Sequence, residues 1–359
     1  MISKQKKAIL LLADGTEFAG YSFGAEGTAI GEVVFSTSMV GYQEALTDPC
    51  YYGQLLMQTF PSIGNYGINT DQESDRTHVK GYIVREWCEM PSNFRCEGNL
   101  DAFMKQNHVI GLFGIDTRSL TRKLREEGTM NGMITTEPLE KQKALEKIRA
   151  YRIENAVESV SCQEKKYFPA ENAKYEVAVY DFGCRRSTIA ELQKRGCNVT
   201  LLPCNTPAET VAAMHPDGIL FSNGPGNPAE NGTIIENIRA VSALQIPMFA
   251  IGLGHQLYAL AQGGRTEKLH AGHRGASQPV IDCQGTRTYP TSQNHGYTVV
   301  PDSIPSQIGS MSYKNVNDGS CEGMRYADGT CTVQFQPEFC GGPMDTSFMF
   351  DEFISRFQN

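Results

Sequence analysis

No stretch of the sequence approaches the roughly 20 consecutive apolar residues that a membrane-spanning helix needs. The run that could suggest a leader follows Lys4, Lys6 and Lys7, but Ala8-Ile-Leu-Leu-Leu-Ala13 is only six residues long and stops at Asp14-Gly15, a hairpin turn signal. It reads as a strand. Positive charge is also scarce: 32 Lys and Arg against 40 Asp and Glu leave a net charge of −8 and a pI near 5.5. That balance argues against nucleic acid or an anionic membrane surface as the main partner. The eleven cysteines contain no CxxC pair and no regular framework, and an odd, scattered set of this kind reads as reduced thiols of a cytoplasmic protein. No P-loop or other nucleotide motif is present, nor any internal repeat or low-complexity tract. What remains is 359 residues of globular composition, 40% hydrophobic and 20% charged, enough for two domains with a core each.

The first half mixes strands and helices. Residues 8–23 read as a hairpin around Asp14-Gly15, and residues 32–37 and 80–85 as further strands. Leu100 to Gln106 and Ser119 to Glu127 have helical patterns, the second with Asp116 or Thr117 as its cap. This predicts an α+β domain over 1–150. A charged segment of helical spacing from Pro138 to about Tyr151 gives way to a polar stretch, so 151–174 is expected to be a linker.

From 175 to 359 the pattern changes to alternating strands and helices: strands at 176–181, 198–203, 217–222 and 247–251, with helices at 185–195, 207–214, 233–244 and from near His255. Short apolar strands separated by helices imply a doubly wound, mostly parallel sheet covered on both faces. Ligands of such sheets bind at the carboxyl ends of the strands, where the loops 222–228 and 252–256 fall.

The segment Ile246 to Leu260 passes from a buried strand to a helix through one sharp turn, the form of a nucleophile elbow. In such elbows the turn exposes a reactive side chain, and the next backbone N–H faces the developing oxyanion. Three further motifs follow in order: Ser222-Asn-Gly-Pro-Gly-Asn-Pro228, Ser292-Gln-Asn-His-Gly-Tyr297 and Gln334-Phe-Gln-Pro-Glu338. Together they resemble class I glutamine amidotransferases, whose elbow reads G-[IV]-C-x-G-x-Q and whose late motif reads H-P-E. In that family a cysteine attacks the glutamine amide, a histidine shuttles protons and a glutamate orients the histidine. The first half narrows the resemblance: residues 35–49, Pro61 to Ile68 and Gly114 to Arg125 are similar to the N-terminal domain of carbamoyl phosphate synthase small subunits.

The chain departs from the family at the reacting positions. Ala250 stands at the first elbow glycine, Gly252 at the cysteine and Gln336 at the histidine, while Pro337 and Glu338 remain. Glycine offers no nucleophile, and a glutamine amide does not titrate near neutrality. The resemblance therefore implies that glutamine hydrolysis by the family route is lost. The family's glutamine-binding positions carry over to Ser38, Gly224, Gly226, Leu253, Gln256, Asn294, Gly296 and Tyr297. Cys331 and Cys340 lie near the late motif, but on the wrong loop to replace the nucleophile. His255 belongs to the elbow helix and His295 shapes the Asn-His-Gly loop. His270-Ala-Gly-His273 has no Cys, Asp or Glu at ligand spacing, so no metal is expected.

The resemblance implies a small subunit that supplies ammonia to a large subunit, which makes carbamoyl phosphate for arginine and pyrimidine synthesis. ATP and magnesium would belong to that partner, with no cofactor on this chain and L-glutamine in its pocket. Three readings stay open: a pseudo-glutaminase supporting ammonia-dependent synthesis, a non-catalytic glutamine-binding regulatory subunit, and an amidotransferase using an unrecognised thiol.

Overall fold

The computed structural model describes residues 6–285, 287–338 and 341–357. The chain divides into two compact units, Met1–Glu154 and Asn155–Asn359.

The first unit contains β1 (Lys7–Leu12), β2 (Glu17–Gly24), β3 (Thr28–Ser36), α1 (Tyr42–Thr47), β4 (Gln54–Gln58), β5 (Ser62–Ile63), β6 (Gly81–Val84), β7 (Glu86–Trp87), α2 (Leu100–Gln106), β8 (Ile110–Phe113), α3 (Thr117–Glu127), β9 (Met130–Thr135) and α4 (Lys141–Ala150). Seven of the strands close into a barrel in the order β1-β2-β8-β6-β4-β3-β9, and β5 pairs with β7 separately. Strands β3, β4, β6 and β8 are mutually parallel at their contacts, and the rest of the barrel is antiparallel.

The continuous apolar run of β1 follows from burial on both faces. Ala8, Leu10 and Leu12 join a core with Leu55, Ile83 and Leu112, whereas Leu11 packs with Ala144 and Ile148 of α4. The Asp14-Gly15 turn forms as expected, with the Thr16 N–H donating to the Asp14 carboxylate at 2.9 Å. Asp116 caps α3 by accepting from the Ser119 N–H at 2.9 Å, so the helix begins two residues before the expected Ser119.

The second unit contains α5 (Ala156–Val160), β10 (Lys166–Phe168), β11 (Tyr175–Asp181), α6 (Arg186–Lys194), β12 (Cys197–Pro203), α7 (Ala208–Met214), β13 (Gly218–Phe221), α8 (Gly232–Ser242), β14 (Met248–Ile251), α9 (Leu253–Ala261), β15 (Arg265–Asp282), β16 (Thr288–Val300), β17 (Gly309–Asn315), β18 (Cys321–Tyr326), β19 (Cys331–Val333) and α10 (Phe348–Ile354). They build one ten-stranded sheet in the order β10-β12-β11-β13-β14-β19-β18-β17-β15-β16. Its core, β12-β11-β13-β14-β19, is parallel. Beyond β19 the sheet continues antiparallel through β18, β17, β15 and β16.

Helices cover both faces, as doubly wound packing requires. Ala178, Tyr180, Ile219 and Phe221 meet α7, α8 and α9 on one side. Val177, Val179, Leu220 and Phe249 meet α6 and α10 on the other. The alternation along each strand explains why these strands are apolar at nearly every position.

The expected linker 151–174 is corrected by the structure. It carries α5 and the edge strand β10, which pairs antiparallel with β12 at Lys166↔Leu201. An edge strand of three residues with two side chains exposed has no apolar period to read, and only Val157 of α5 is deeply buried in the sheet's core.

Candidate functional site

Four chain segments leave the carboxyl ends of the parallel strands together: 182–185 after β11, 222–228 after β13, the β14–α9 turn, and 334–338 after β19. Gly252 forms the β14–α9 turn with φ 57° and ψ −112°. An L-residue held there carries strain on the order of 1–3 kcal/mol, whereas glycine carries little. The turn is pinned on both sides: the Gly252 N–H donates to Val333 O at 2.8 Å and the Gly254 N–H donates to Ser222 O at 3.0 Å. Between them, the Leu253 N–H meets no hydrogen-bond acceptor among the described residues. A Cβ added at Gly252 would lie 3.0 Å from the Asn223 Cβ. The backbone thus keeps the elbow shape and presents no side chain on it.

Gln336 is buried, and its backbone N–H donates to Ser292 O at 2.9 Å. This isolated bridge joins the late motif to the start of the Gln293–Tyr297 stretch of β16. Glu338, two residues on, is fully buried, with its Oε1 3.6 Å from Arg185 Nη1 and accepting from the Thr188 hydroxyl at 3.2 Å. Arg185 lies at the N-terminus of α6 and is itself fully buried. With the Asn223 amide turned to suit both neighbours, its oxygen accepts from Arg185 Nε at 3.0 Å and its nitrogen donates to Gly183 O at 3.2 Å. A continuous polar chain therefore runs from Asn223, beside the elbow, through Arg185 to Glu338 and Thr188. The glutamate faces a guanidinium here, in a motif whose histidine position is filled by an amide.

Of the expected pocket residues of this unit, Gly224, Leu253, Gln256 and Tyr297 are joined by contacts beside the elbow. Gln256 Nε2 donates to Tyr297 O and to Gln334 Oε1, both at 2.8 Å, tying α9 to β16 and to the late motif. Gly224 packs with its Cα against the Phe182 carbonyl and Leu253: an added Cβ would stand 2.1 Å from Phe182 O and 2.9 Å from Leu253 Cδ2. Gly226 adopts φ 91° beside Ala156. Asn294, Gly296 and Tyr297 follow one another on β16 opposite Arg274 to Lys268 of β15. Ser38 belongs to the first unit, half-buried between β3 and α1, with its N–H donating to Ser36 Oγ at 3.3 Å.

The histidines are occupied by the protein itself. His255 is buried in α9 with Nδ1 2.7 Å from the Thr332 hydroxyl, and burial pushes its pKa down to about 3. His295 is bounded by Tyr297 O at 2.8 Å and Gln293 Oε1 at 3.0 Å; burial, and then the neighbouring His273, hold its pKa well below the usual range. His273 behaves oppositely. Burial disfavours its charge, but Glu322 at 3.4 Å and Asp318 at 2.8 Å outweigh that and raise its pKa. The sequence placed no carboxylate near His273, yet the sheet brings His273, His295 and Glu322 within 4.8 Å of one another. Those atoms could ligate a metal, but the ring of His273 is already shared by two carboxylates and both nitrogens of His295 face acceptor oxygens.

Cys331 pairs in register with Phe249, three residues before the elbow glycine, and burial raises its thiol pKa to about 11, leaving it protonated. Cys340 lies outside the described residues. Arg185, Thr188 and Asn223 were not read as site residues. The available signal was the position of Arg185 and Asn223 just beyond the carboxyl ends of β11 and β13, where a parallel sheet gathers its ligands; Thr188 lies in the first turn of α6 and carries no such signal.

Residues 10–134 match the family model for the carbamoyl-phosphate synthase small chain, CPSase domain, and residues 178–356 match that for class-I glutamine amidotransferases. The chain is 46% identical over 350 residues to a carbamoyl phosphate synthase small chain of Clostridium perfringens, covering 97% of this chain and 99% of that one. It is 44% identical to one of Listeria monocytogenes and 45% to one of Bacillus caldolyticus, in each case over 97% of this chain and 96% of the other. Among the described residues no helix is long and apolar enough to cross a membrane.

Proposed function

Because the chain belongs to the carbamoyl phosphate synthase small-chain family, we propose that it is a small subunit whose own glutamine-hydrolysing step has been lost. In this reading it docks on a large subunit and supports synthesis from free ammonia. ATP and magnesium are then bound by that partner, in a cytoplasmic heterodimer serving arginine and pyrimidine synthesis.

The observation that carries the proposal is Gly252 at the apex of an intact elbow, φ 57° and ψ −112°, where the reaction needs a sulfur. Two features support it. Gln336 cannot exchange a proton near neutrality, and Glu338 is paired with Arg185 instead of aligning an imidazole. Removing the nucleophile and base of a hydrolase costs on the order of a millionfold in turnover, about 8 kcal/mol of barrier. An oxyanion site around the Leu253 N–H leaves slow background hydrolysis at most.

The test is to purify the chain with its large subunit and compare nitrogen donors. Ammonium is expected to support carbamoyl phosphate formation, and glutamine is expected to give none above background. Turnover on glutamine at ordinary enzymatic rates would end the proposal.

A second reading is favoured by one observation. The Gly224–Phe182 approach and the Gln256–Tyr297–Gln334 bonds hold together residues that would wall a glutamine pocket, with no reaction to run in it. A glutamine-binding regulatory subunit would keep such a pocket. Calorimetric titration with glutamine separates the two: tight binding that alters the partner's rate supports the regulator, and no binding supports a scaffold.

A further inference from the structure

The Gly114–Arg125 segment, part of the likeness to small-chain N-terminal domains, has no role in the elbow's chemistry. In the barrel the carboxyl ends of the parallel strands β4, β6 and β8 open onto a cavity of about 540 Å³ walled by α3. Four guanidinium groups line it, those of Arg85, Arg118, Arg122 and Arg125. Asp116 is the acidic residue of the lining, and its Oδ1 accepts from the Ser119 N–H as the α3 cap. Arg85 is anchored from β6 by donating to Ile115 O at 2.9 Å.

Arg118, Arg122 and Arg125 stand at i, i+4 and i+7 on α3, so they share one face over about 10 Å of helix. None of the three makes an ion pair or hydrogen bond with another described residue, in a chain with 40 acidic side chains. Like charges at i and i+4 destabilise a helix. The fold nevertheless stacks them where parallel strands end, the place at which such sheets receive ligands. A volume of this size suits a small molecule. Guanidinium forks match phosphate oxygens two at a time, and a row of three spans more than one phosphate group. Thr59 adds a hydroxyl to the lining, whereas the Thr121 hydroxyl donates to Thr117 O at 2.8 Å within α3.

We propose that this cavity binds a small ligand carrying a di- or polyphosphate group. The site is independent of the lost glutaminase chemistry, because every residue of it lies in the first unit.

The probe is inorganic pyrophosphate, titrated calorimetrically into the full-length chain at constant ionic strength, with sodium chloride as the matched control. Saturable binding at one site is expected, weakened tenfold or more by R118A/R122A and further reduced by raising the salt. Both arginines are exposed, so the double variant is expected to unfold no lower in temperature than the parent without ligand. Absence of pyrophosphate binding, or binding that the double variant leaves unchanged, overturns the proposal. If pyrophosphate does not bind but R118E/R122E releases the chain from its large subunit, the row belongs to an acidic protein surface, and the ligand proposal is equally overturned.

Discussion

Arg185 Nη1 lies 3.6 Å from Glu338 Oε1, and neither side chain is exposed to solvent. In a hydrolase of this family the glutamate aligns a histidine. Here the carboxylate is held by a guanidinium from α6 and a hydroxyl from Thr188, so it steadies the loop after β19 rather than a proton carrier.

Breaking that pair on one side leaves a buried charge without compensation. Arg185→Met is expected to lower stability by about 3–5 kcal/mol, and Arg185→Met/Glu338→Leu by much less than the single change, since an apolar pair of similar volume replaces both charges. Urea unfolding of the two variants measures the difference. With Glu338→Leu alone added to the series, a double-variant loss equal to the sum of the two single losses would show that the pair carries no coupling.

The elbow can be re-armed in part. Gly252→Cys is expected to react once with an electrophilic glutamine analogue, because the turn and the Leu253 N–H remain. The variant should lose about 1–3 kcal/mol of stability to the left-handed backbone and to the 3.0 Å approach of Asn223 Cβ. Adding Gln336→His should give measurable glutamine turnover, limited by the hold of Arg185 on Glu338. Intact-mass spectrometry and ammonia release report the two steps.

Gly224→Ala is a test of the pocket. Its Cβ would meet Phe182 O at 2.1 Å, so the loop after β13 must shift. Glutamine binding, where the parent shows it, is expected to fall at least tenfold, with a destabilisation on the order of 1–3 kcal/mol. Calorimetry and thermal unfolding check both.

Two histidines make stability depend on pH in opposite senses. The raised pKa of His273 means that its contribution is fully present below its unfolded value of 6.5 and is lost as pH rises through the higher folded value. His255 is depressed to about 3, so its contribution is present above pH 6.5 and is lost as pH falls toward 3. His273→Asn should therefore remove a stability gain seen on acidification from pH 8 to pH 6, measured by urea midpoints. An unchanged pH profile would rule out a native charge on His273.

Much of the second unit was legible because its strands are short, apolar and separated by helices, a local signal. The elbow was legible because the strand, the Gly252-Leu-Gly turn and the helix are contiguous. What eluded the sequence depends on partners distant along the chain. Closure of the barrel rests on pairings such as Ile9↔Thr135, and the polar strands β15 and β16 show their antiparallel extension only once they pair with each other and with β17. Glu322 of β18 comes within 3.4 Å of His273 of β15 only through the pairing of distant strands in the antiparallel half of the sheet. Arg185 follows an ordinary strand end, and nothing local announces that Glu338 will come to rest against it.

The central claim concerns one bond. Mixing the complex with labelled glutamine, quenching in acid within a single turnover and measuring the intact mass of this chain tests it directly. The unmodified mass, with no labelled ammonia released above the buffer control, is the predicted result. A γ-glutamyl adduct on any residue of the chain would contradict the account.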